Sequence, residues 1–195
     1  MRVFLGITGA SGAPYAEKLL QALAGAGCDV LLCASRAATQ VLATELYGDA
    51  RLSPDETLAR LVEPVRDAVA LYDEQDWRSP AASGSARIDG YVICPCSMGT
   101  LAAIAGGSIT NLIQRAASVA LKEGRTLVLM PRETPLSAIH LRTMAEAQQA
   151  GAVILMLAPG FYHGWESVGE LLDFIVARCL DQLGIEHRLV REWGR

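Results

Sequence analysis

The stretch that decides the fold is residues 2–24, RVFLGITGASGAPYAEKLLQALA. Arg2–Thr8 is mostly apolar and predicts a buried strand. Gly9–Gly12 predicts a tight loop, and Pro14–Ala24 predicts a helix with Pro14 near its first turn, where proline is tolerated. A strand followed by a glycine loop and a helix is the unit from which α/β folds are built.

The same alternation continues along the chain. Further apolar strands are predicted at Cys28–Ala34, Val69–Tyr72, Gly90–Cys94, Arg125–Met130 and Ala152–Leu157. Helices are predicted at Ser35–Leu46, from Ser53, from Ser97, and at Asn111–Lys122, Ser137–Ala150 and Val168–Leu183. Continuously apolar strands belong to parallel sheets that are covered on both faces. We therefore predict one domain over residues 1–195, a doubly wound parallel α/β sheet of Rossmann-like or flavodoxin-like type with helices on both faces.

The composition limits the classes of function. Of the 195 residues, 51% are hydrophobic and 19% are charged, which is apolar for a soluble monomer and predicts a homo-oligomer. The net charge of −4 argues against a general nucleic-acid binder. No segment reaches the roughly 18 apolar residues that span a bilayer, so we expect no membrane insertion and a cytoplasmic protein.

The cysteines and histidines do not predict a metal site. Cys94-Pro95-Cys96 has neither the redox nor the zinc spacing, and His140, His163 and His187 are scattered. We expect no bound metal and reduced cysteines in the core.

Small polar residues follow two of the strands. In such sheets the ligand binds beyond the carboxyl ends of the strands, where Gly9–Gly12 and Ser97–Thr100 lie. Glycines let the backbone approach a phosphate, and helix starts supply amide donors. The alternatives are a turn that binds nothing and a simple N-cap by Ser97. The pattern is neither GxGxxG nor GxxxxGK[ST], and Ser35-Arg36 replaces the acidic residue that holds an NAD ribose, so a mononucleotide fits better.

Arg132 and Glu133 stand between two prolines directly after the strand at 125–130. The guanidinium suits a phosphate, and the carboxylate suits proton transfer. The alternative is a surface ion pair.

Several cations precede or follow this segment. Arg115 and Lys122 are seven residues apart and share one helix face, which indicates either a solvated face or a second phosphate site. Tyr162 can donate to a phosphate oxygen. Arg178 stands among apolar residues of the last helix and is expected to have an anionic partner.

Together, these motifs resemble the UbiX-type flavin prenyltransferases, within the homo-oligomeric flavin-containing cysteine decarboxylase superfamily. The resemblance covers essentially the whole chain and rests on the blocks TGASGAPY, VICPCSMGTLAAIA, NLIQRAASVALKEGRTLVLMPRETPLS and APGFYH. It implies that reduced FMN accepts a dimethylallyl group from dimethylallyl phosphate or diphosphate. The product, prenylated FMN, would serve a UbiD-type decarboxylase, and the assembly would be a dodecamer.

The resemblance also implies roles for individual residues. FMN contacts are expected from Gly9, Ala10, Ser11, Ser35, Ser97, Met98, Gly99, Thr100 and Arg132. The prenyl substrate is expected to meet Ser11, Trp77, Ser85, Arg115, Lys122, Glu133, Tyr162 and Arg178, with Trp77 and Ser85 lining a pocket between subunits. The expected catalytic set is Glu45, Glu133, Lys122, Arg115 and Tyr162, in which the two carboxylates handle protons.

Three other functions fit the sequence less well. An FMN-dependent decarboxylase of the same superfamily would use a catalytic His together with a P-x-M-N segment. The sequence has no P-x-M-N segment. An FMN carrier would not need Arg115, Lys122, Glu133 and Tyr162 together. An NADP-dependent reductase with Arg36 on the 2′-phosphate is disfavoured because no Tyr-x-x-x-Lys pair exists.

Overall fold

The computed structural model describes residues 1–161 and 164–191. In these residues one sheet of six parallel strands has the order β3-β2-β1-β4-β5-β6. The strands are β1 Arg2–Ile7, β2 Asp29–Ala34, β3 Val69–Tyr72, β4 Gly90–Cys96, β5 Thr126–Pro131 and β6 Val153–Ile154. This is the Rossmann strand order, so the predicted fold class is confirmed.

Helices cover both faces of the sheet. One face carries α1 Ala13–Gly25, α2 Arg36–Tyr47, α3 Pro54–Val62 and α7 Val168–Leu183. The other face carries α4 Met98–Ala105, α5 Leu112–Lys122 and α6 Ala138–Gln149. Short 3-10 segments lie at Glu63–Ala68 and Pro80–Ala82.

The two faces form separate apolar cores because neighbouring side chains of a strand point to opposite sides. On β1, Val3 and Leu5 pack towards α1 and α7, whereas Phe4 packs towards α5 and the ring of Tyr91. All four side chains are buried. Burial of both faces explains why the strands read as unbroken apolar runs.

Two strand ends differ from the prediction. β4 was expected to end at Cys94, but it continues across Pro95 to Cys96, with an irregular register after Ile93. β6 was expected over Ala152–Leu157 and is shorter. Its extension still bonds to β5, because the amides of Leu155 and Leu157 donate to the carbonyls of Leu129 and Pro131, at 2.9 and 3.1 Å.

The cysteines lie in the core, as predicted. All five thiols are free and buried. Burial raises the pKa of Cys33 and of Cys179 to about 12, so neither thiol ionises at neutral pH. Within residues 1–161 and 164–191, no helix is long and apolar enough to cross a membrane, and no three metal-ligating side chains cluster.

The crevice that receives ligands in this fold opens between β1 and β4. The helices that follow these two strands, α1 and α4, cover opposite faces of the sheet. Thr8 ties the two strand ends together. Its hydroxyl donates to the Pro95 carbonyl at 2.8 Å and accepts from the Ser97 amide at 2.7 Å, and its own amide also donates to Pro95, at 3.1 Å.

Replacing Thr8 by Val tests this connection. Val keeps the shape but leaves the Ser97 amide without an acceptor, so we expect a loss of about 1–3 kcal/mol in the free energy of unfolding. Urea denaturation measures the loss. Thr44→Val, which removes an exposed helix hydroxyl, should change stability by no more than about 0.5 kcal/mol. Equal stability of the two variants would contradict the role of Thr8.

Candidate active site

The glycine loop after β1 is shaped by close contacts. Gly12 has a φ of 127°, in the region that favours glycine. A Cβ on Gly9 would lie 2.7 Å from the Cβ of Ala37, at the start of α2. The loop therefore lies directly against α2, and a side chain at position 9 would push the two apart.

Unused backbone donors surround the crevice. In the described part of the chain, the amides of Gly9, Ala10 and Ser11 have no hydrogen-bond acceptor, and neither do those of Met98 and Gly99 in the first turn of α4. Such amides are the usual donors to anions and to flavin-type heterocycles. The crevice therefore offers five backbone donors to a ligand.

Glu45 occupies the N-terminus of α1. Its Oε2 atom accepts from the amides of Gly12 and Ala13, at 2.9 and 2.8 Å. Partial burial raises the pKa of this carboxyl, but hydrogen bonds from Ser11, Gly12 and Ala13 and the charge of Arg132 outweigh that effect and lower it. An internal carboxylate, rather than a ligand phosphate, thus satisfies these two α1 amides.

Arg132 and Glu133 have different partners. The Nε of Arg132 donates to the Ser11 carbonyl at 3.2 Å, which joins the end of β5 to the glycine loop. The Oε1 of Glu133 accepts from the Thr134 amide at 3.1 Å. Among the ion pairs of the described residues none joins Arg132 to Glu133, so the simple ion-pair interpretation does not hold.

Ser97 and Ser35, which are also expected to contact the flavin, act as N-caps of helices at the same edge of the sheet. The Ser97 hydroxyl accepts from the Thr100 amide at 3.2 Å and contacts the Thr100 hydroxyl at 3.0 Å. The Ser35 hydroxyl accepts from the Ala38 amide at 3.2 Å. The structure thus brings these residues together at the carboxyl edge of the sheet: Gly9, Ala10, Ser11, Ser35, Glu45, Ser97, Met98, Gly99, Thr100, Arg132 and Glu133.

The expected prenyl-phosphate residues on α5 form a second group. Arg115 donates through Nε to the Ala82 carbonyl at 2.9 Å. Lys122 pairs with Glu123 and lies beside Gly84, where an added Cβ would be 2.8 Å from its Nζ. Both cations therefore face the loop at 82–85 that carries Ser85, as their spacing predicts. Lys122 lies near the amino edge of the sheet, about 20 Å along the strands from the carboxyl edge.

Arg178 lies in a third place. It is on α7, across the sheet from α5, and its Nη1 donates to Asp181 at 2.7 Å. Asp181 also contacts the Nε2 of His187 at 3.0 Å. The expected anionic partner is therefore present. Trp77 follows β3 and leaves 47% of its surface exposed, and the expected site residue Tyr162 lies outside the described residues.

One chain does not gather the expected substrate residues. The residues expected at the flavin lie at the carboxyl edge, whereas Lys122 and Arg178 lie towards the amino edge on opposite faces. The chain also exposes large apolar side chains that include Ile139, Leu141 and Phe161. In one chain, therefore, the residues expected to bind FMN and the cations expected to bind the prenyl phosphate remain apart.

Comparison with known proteins identifies the family. The model of the Flavoprotein family matches residues 1–180. The chain is 47% identical to the flavin prenyltransferase UbiX of Pseudomonas aeruginosa, over 99% of this chain and 94% of the relative. The chain belongs to the UbiX flavin prenyltransferase family. The UbiX of Methanocaldococcus jannaschii is 40% identical, over 100% of this chain and 99% of the relative.

Two solved structures of UbiX proteins have the same fold. One is AnUbiX (PadA1) in complex with FMN and dimethylallyl pyrophosphate, with a TM-score of 0.88, 39% identity and coverage of 100% of this chain and 97% of that one. The other is a dodecameric FMN-dependent UbiX-like decarboxylase from Escherichia coli O157:H7, with a TM-score of 0.88, 40% identity and full coverage of both chains. The resemblance read from the sequence is thus confirmed.

The sequence did not indicate two residues that make long-range contacts next to expected site residues. Thr8 was read only as the end of a strand, although its position before the first glycine places it at the crevice. Arg125 was read as the start of β5, and it binds the loop around Ser85. Neither contact has a local signal, because Thr8 and Pro95, and Arg125 and Gly84, are far apart in the sequence.

Glu45→Gln tests the electrostatic role of this carboxylate. Because the pKa of Glu45 is lowered in the folded chain, its stabilisation is present above the ordinary value of 4.5 and is lost as the pH falls below it. We expect the variant to be less stable at neutral pH by about 1 kcal/mol. The gap from the wild type should narrow as the pH falls from about 6 to about 3.5.

Urea unfolding across this pH range measures the gap. Glu63→Gln, at an exposed carboxylate that pairs with Arg66, is the control. A gap for Glu45→Gln that stays constant with pH would contradict the assignment.

Proposed function

We propose that this protein is a flavin prenyltransferase that joins a dimethylallyl group, from dimethylallyl phosphate or diphosphate, to N5 and C6 of reduced FMN. The observation that carries the proposal is that a crevice with five unused amides and Arg132 occurs in the same chain as the two-cation face of α5. The UbiX relative solved with FMN and dimethylallyl pyrophosphate, similar over the full chain, supports it.

The crevice residues fit FMN. The free amides of the glycine loop and of α4, with the hydroxyls of Ser97 and Thr100, offer donors to the phosphate and to the polar edge of the ring. The Nε of Arg132 donates to the Ser11 carbonyl, and its two Nη groups have no partner among the described residues and can bind an anion. When bound, reduced FMN supplies the nucleophilic N5 and C6 atoms.

The cations account for departure of the phosphate. Breaking an allylic C–O bond needs the leaving phosphate neutralised, and Arg115, Lys122 and Arg178 can do this without a metal. The Nε of Arg115 donates to the Ala82 carbonyl, and neither of its Nη groups has a partner among the residues that the structure describes. Tyr162 is proposed to donate to the same phosphate, and Ser85 and Trp77 to line the prenyl pocket, where the Trp77 ring stabilises positive charge through its π face.

The carboxylates account for proton transfer. Attachment at C6 releases a ring proton, which requires a base. Glu45 is held ionised beside Ser11, Gly12 and Arg132, and half-buried Glu133 follows Arg132 directly. Glu45, Glu133 or the departing phosphate takes this proton.

The proposed site is completed between subunits. Lys122 and Arg178 lie far from the flavin crevice of their own chain, so crevice and cations of different chains must face each other in a homo-oligomer. The apolar composition and the exposed apolar side chains support this assembly. We propose a dodecamer, the state of the similar Escherichia coli UbiX-like protein.

The cellular setting follows from the same proposal. The five free thiols suit a reducing compartment, so we keep the expectation of a cytoplasmic protein. The product would be consumed by a UbiD-type decarboxylase, which is the partner that we propose.

The mass of the flavin tests the reaction. Reduced FMN and dimethylallyl phosphate are incubated with the protein under anaerobic conditions, and the extracted flavin is weighed by mass spectrometry. We expect a mass gain of one prenyl unit, and no gain when the protein is omitted. An unmodified flavin that co-purifies with the protein would instead identify a carrier. Parallel reactions with the diphosphate decide which donor is used.

Subunit complementation tests the shared site. We expect Lys122→Ala and Arg178→Ala each to lose prenylation, because each lacks one phosphate cation. Co-expression of the two chains should restore activity at about one quarter of the sites, those that draw an intact Lys122 and an intact Arg178 from different chains. Mixed assemblies no more active than either variant alone would show that both cations come from one chain.

A further inference from the structure

Arg125 makes an unusual set of contacts for a residue with no assigned role. Its Nη2 donates to the Gly84 carbonyl at 2.7 Å, and its Nη1 donates to the Ala86 carbonyl at 2.8 Å. These two carbonyls stand on either side of Ser85. One guanidinium therefore fixes the backbone before and after a residue expected to line the prenyl pocket.

Arg125 is itself anchored in the core. Its Nη1 also donates to the hydroxyl of Tyr91 at 3.1 Å. Tyr91 is fully buried on β4 and packs against the ring of Phe4. The position of the guanidinium is thus set by the sheet, and the loop takes its position from the guanidinium.

The hydrogen bonds within the loop are local: the Ser85 amide donates to the Ser83 hydroxyl at 3.4 Å, and the Ala86 amide donates to the Ser83 carbonyl at 3.3 Å. Ser83 and Ser85 contact each other through their hydroxyls at 2.9 Å, and both residues are exposed. Upstream, the Ala82 carbonyl is held by Arg115 at 2.9 Å. Among the described residues, Arg125 is therefore the side chain from outside the loop that bonds to the backbone on both sides of Ser85.

The same tie sets the distance between Ser85 and Lys122. Gly84 lies so close to α5 that an added Cβ would be 2.8 Å from the Nζ of Lys122, and closer still to the Glu123 carboxylate. A shift of Gly84 would move Ser85 relative to the ammonium group. Small displacements of this kind are costly in sites that must hold a substrate in one geometry.

We propose that Arg125 is a positioning residue, which clamps the carbonyls of Gly84 and Ala86 so that Ser85 and Lys122 face the prenyl substrate together. This inference rests on the proposed function. Arginine suits the task because its planar fork donates in two directions at once, whereas lysine is a single compact charge.

Arg125→Lys tests the proposal, because it keeps the charge but cannot hold both carbonyls. We expect the KM for dimethylallyl phosphate to rise about tenfold, with kcat within about twofold of the wild type. The Kd for FMN should stay unchanged, since the flavin crevice lies at the other edge of the sheet. Steady-state prenylation and FMN titration give these three constants.

Arg87→Lys is the matched control. Arg87 is in the same loop, is exposed, and makes no side-chain hydrogen bond to the described residues. This variant should leave all three constants unchanged. Tyr91→Phe removes the anchor hydroxyl but not the clamp, and it should raise the KM by less than Arg125→Lys does.

Gly84→Ala keeps the proposal testable if Arg125→Lys does not fold. The three atoms nearest to its added Cβ belong to the flexible ends of Lys122 and Glu123, so the substitution moves the loop with little risk to the core. It should raise the same KM and leave the Kd for FMN unchanged.

The outcomes distinguish a failure of the proposed function from a failure of the role of Arg125. If the wild type does not prenylate FMN, the proposed function fails. If the wild type is active, three results overturn the role of Arg125: an unchanged KM in Arg125→Lys, an equal loss of FMN affinity, or a changed assembly size. A rise in KM alone, seen in Arg125→Lys and Gly84→Ala but not in Arg87→Lys, supports it.

Discussion

The junction of β1 and β4 is the constraint on which the site depends. Thr8 holds the two strand ends at a fixed separation through its contacts to Pro95 and Ser97. Because α1 and α4 then leave towards opposite faces, their first turns open on the same crevice. Every unused amide described above lies in the loop or the first turn that follows one of these two strands. Displacing either strand would separate the two sets of donors.

The charge inside the crevice is arranged around Glu45. Its carboxylate accepts two amides of α1, and Arg132 lies near enough to lower its pKa. The carboxylate of Glu45 therefore balances the positive N-terminal end of α1. The amides of Gly9, Ala10 and Ser11 stay available to a ligand. Arg132 and Glu45 thus place one positive and one negative charge beside the glycine loop.

The hydrophobic pattern of the sequence predicted the strands and helices well. The features that it did not predict depend on contacts between residues that are far apart in the chain. The strand at Val69–Tyr72 and the helix at Val168–Leu183 have the predicted bounds because each begins and ends at a local signal. β4 passes Pro95, which a local rule treats as a stop, since its Pro95 carbonyl bonds to Thr8 across the sheet. The residues expected at the flavin follow strand ends, where ligands bind in this fold, so the sequence could indicate them. The clamp by Arg125 was not found, because it depends on how α5 packs beside the loop at 82–86.

In the structure of one chain, the cations expected to bind the prenyl phosphate already have hydrogen-bond or ion-pair partners. Arg115 bonds to a carbonyl, and Lys122 and Arg178 each pair with a carboxylate one and three residues away. The two ion pairs are about half exposed, so each contributes little to stability and yields readily to a stronger anion. Under the proposed function, a phosphate carries more negative charge than either carboxylate and therefore competes for these cations.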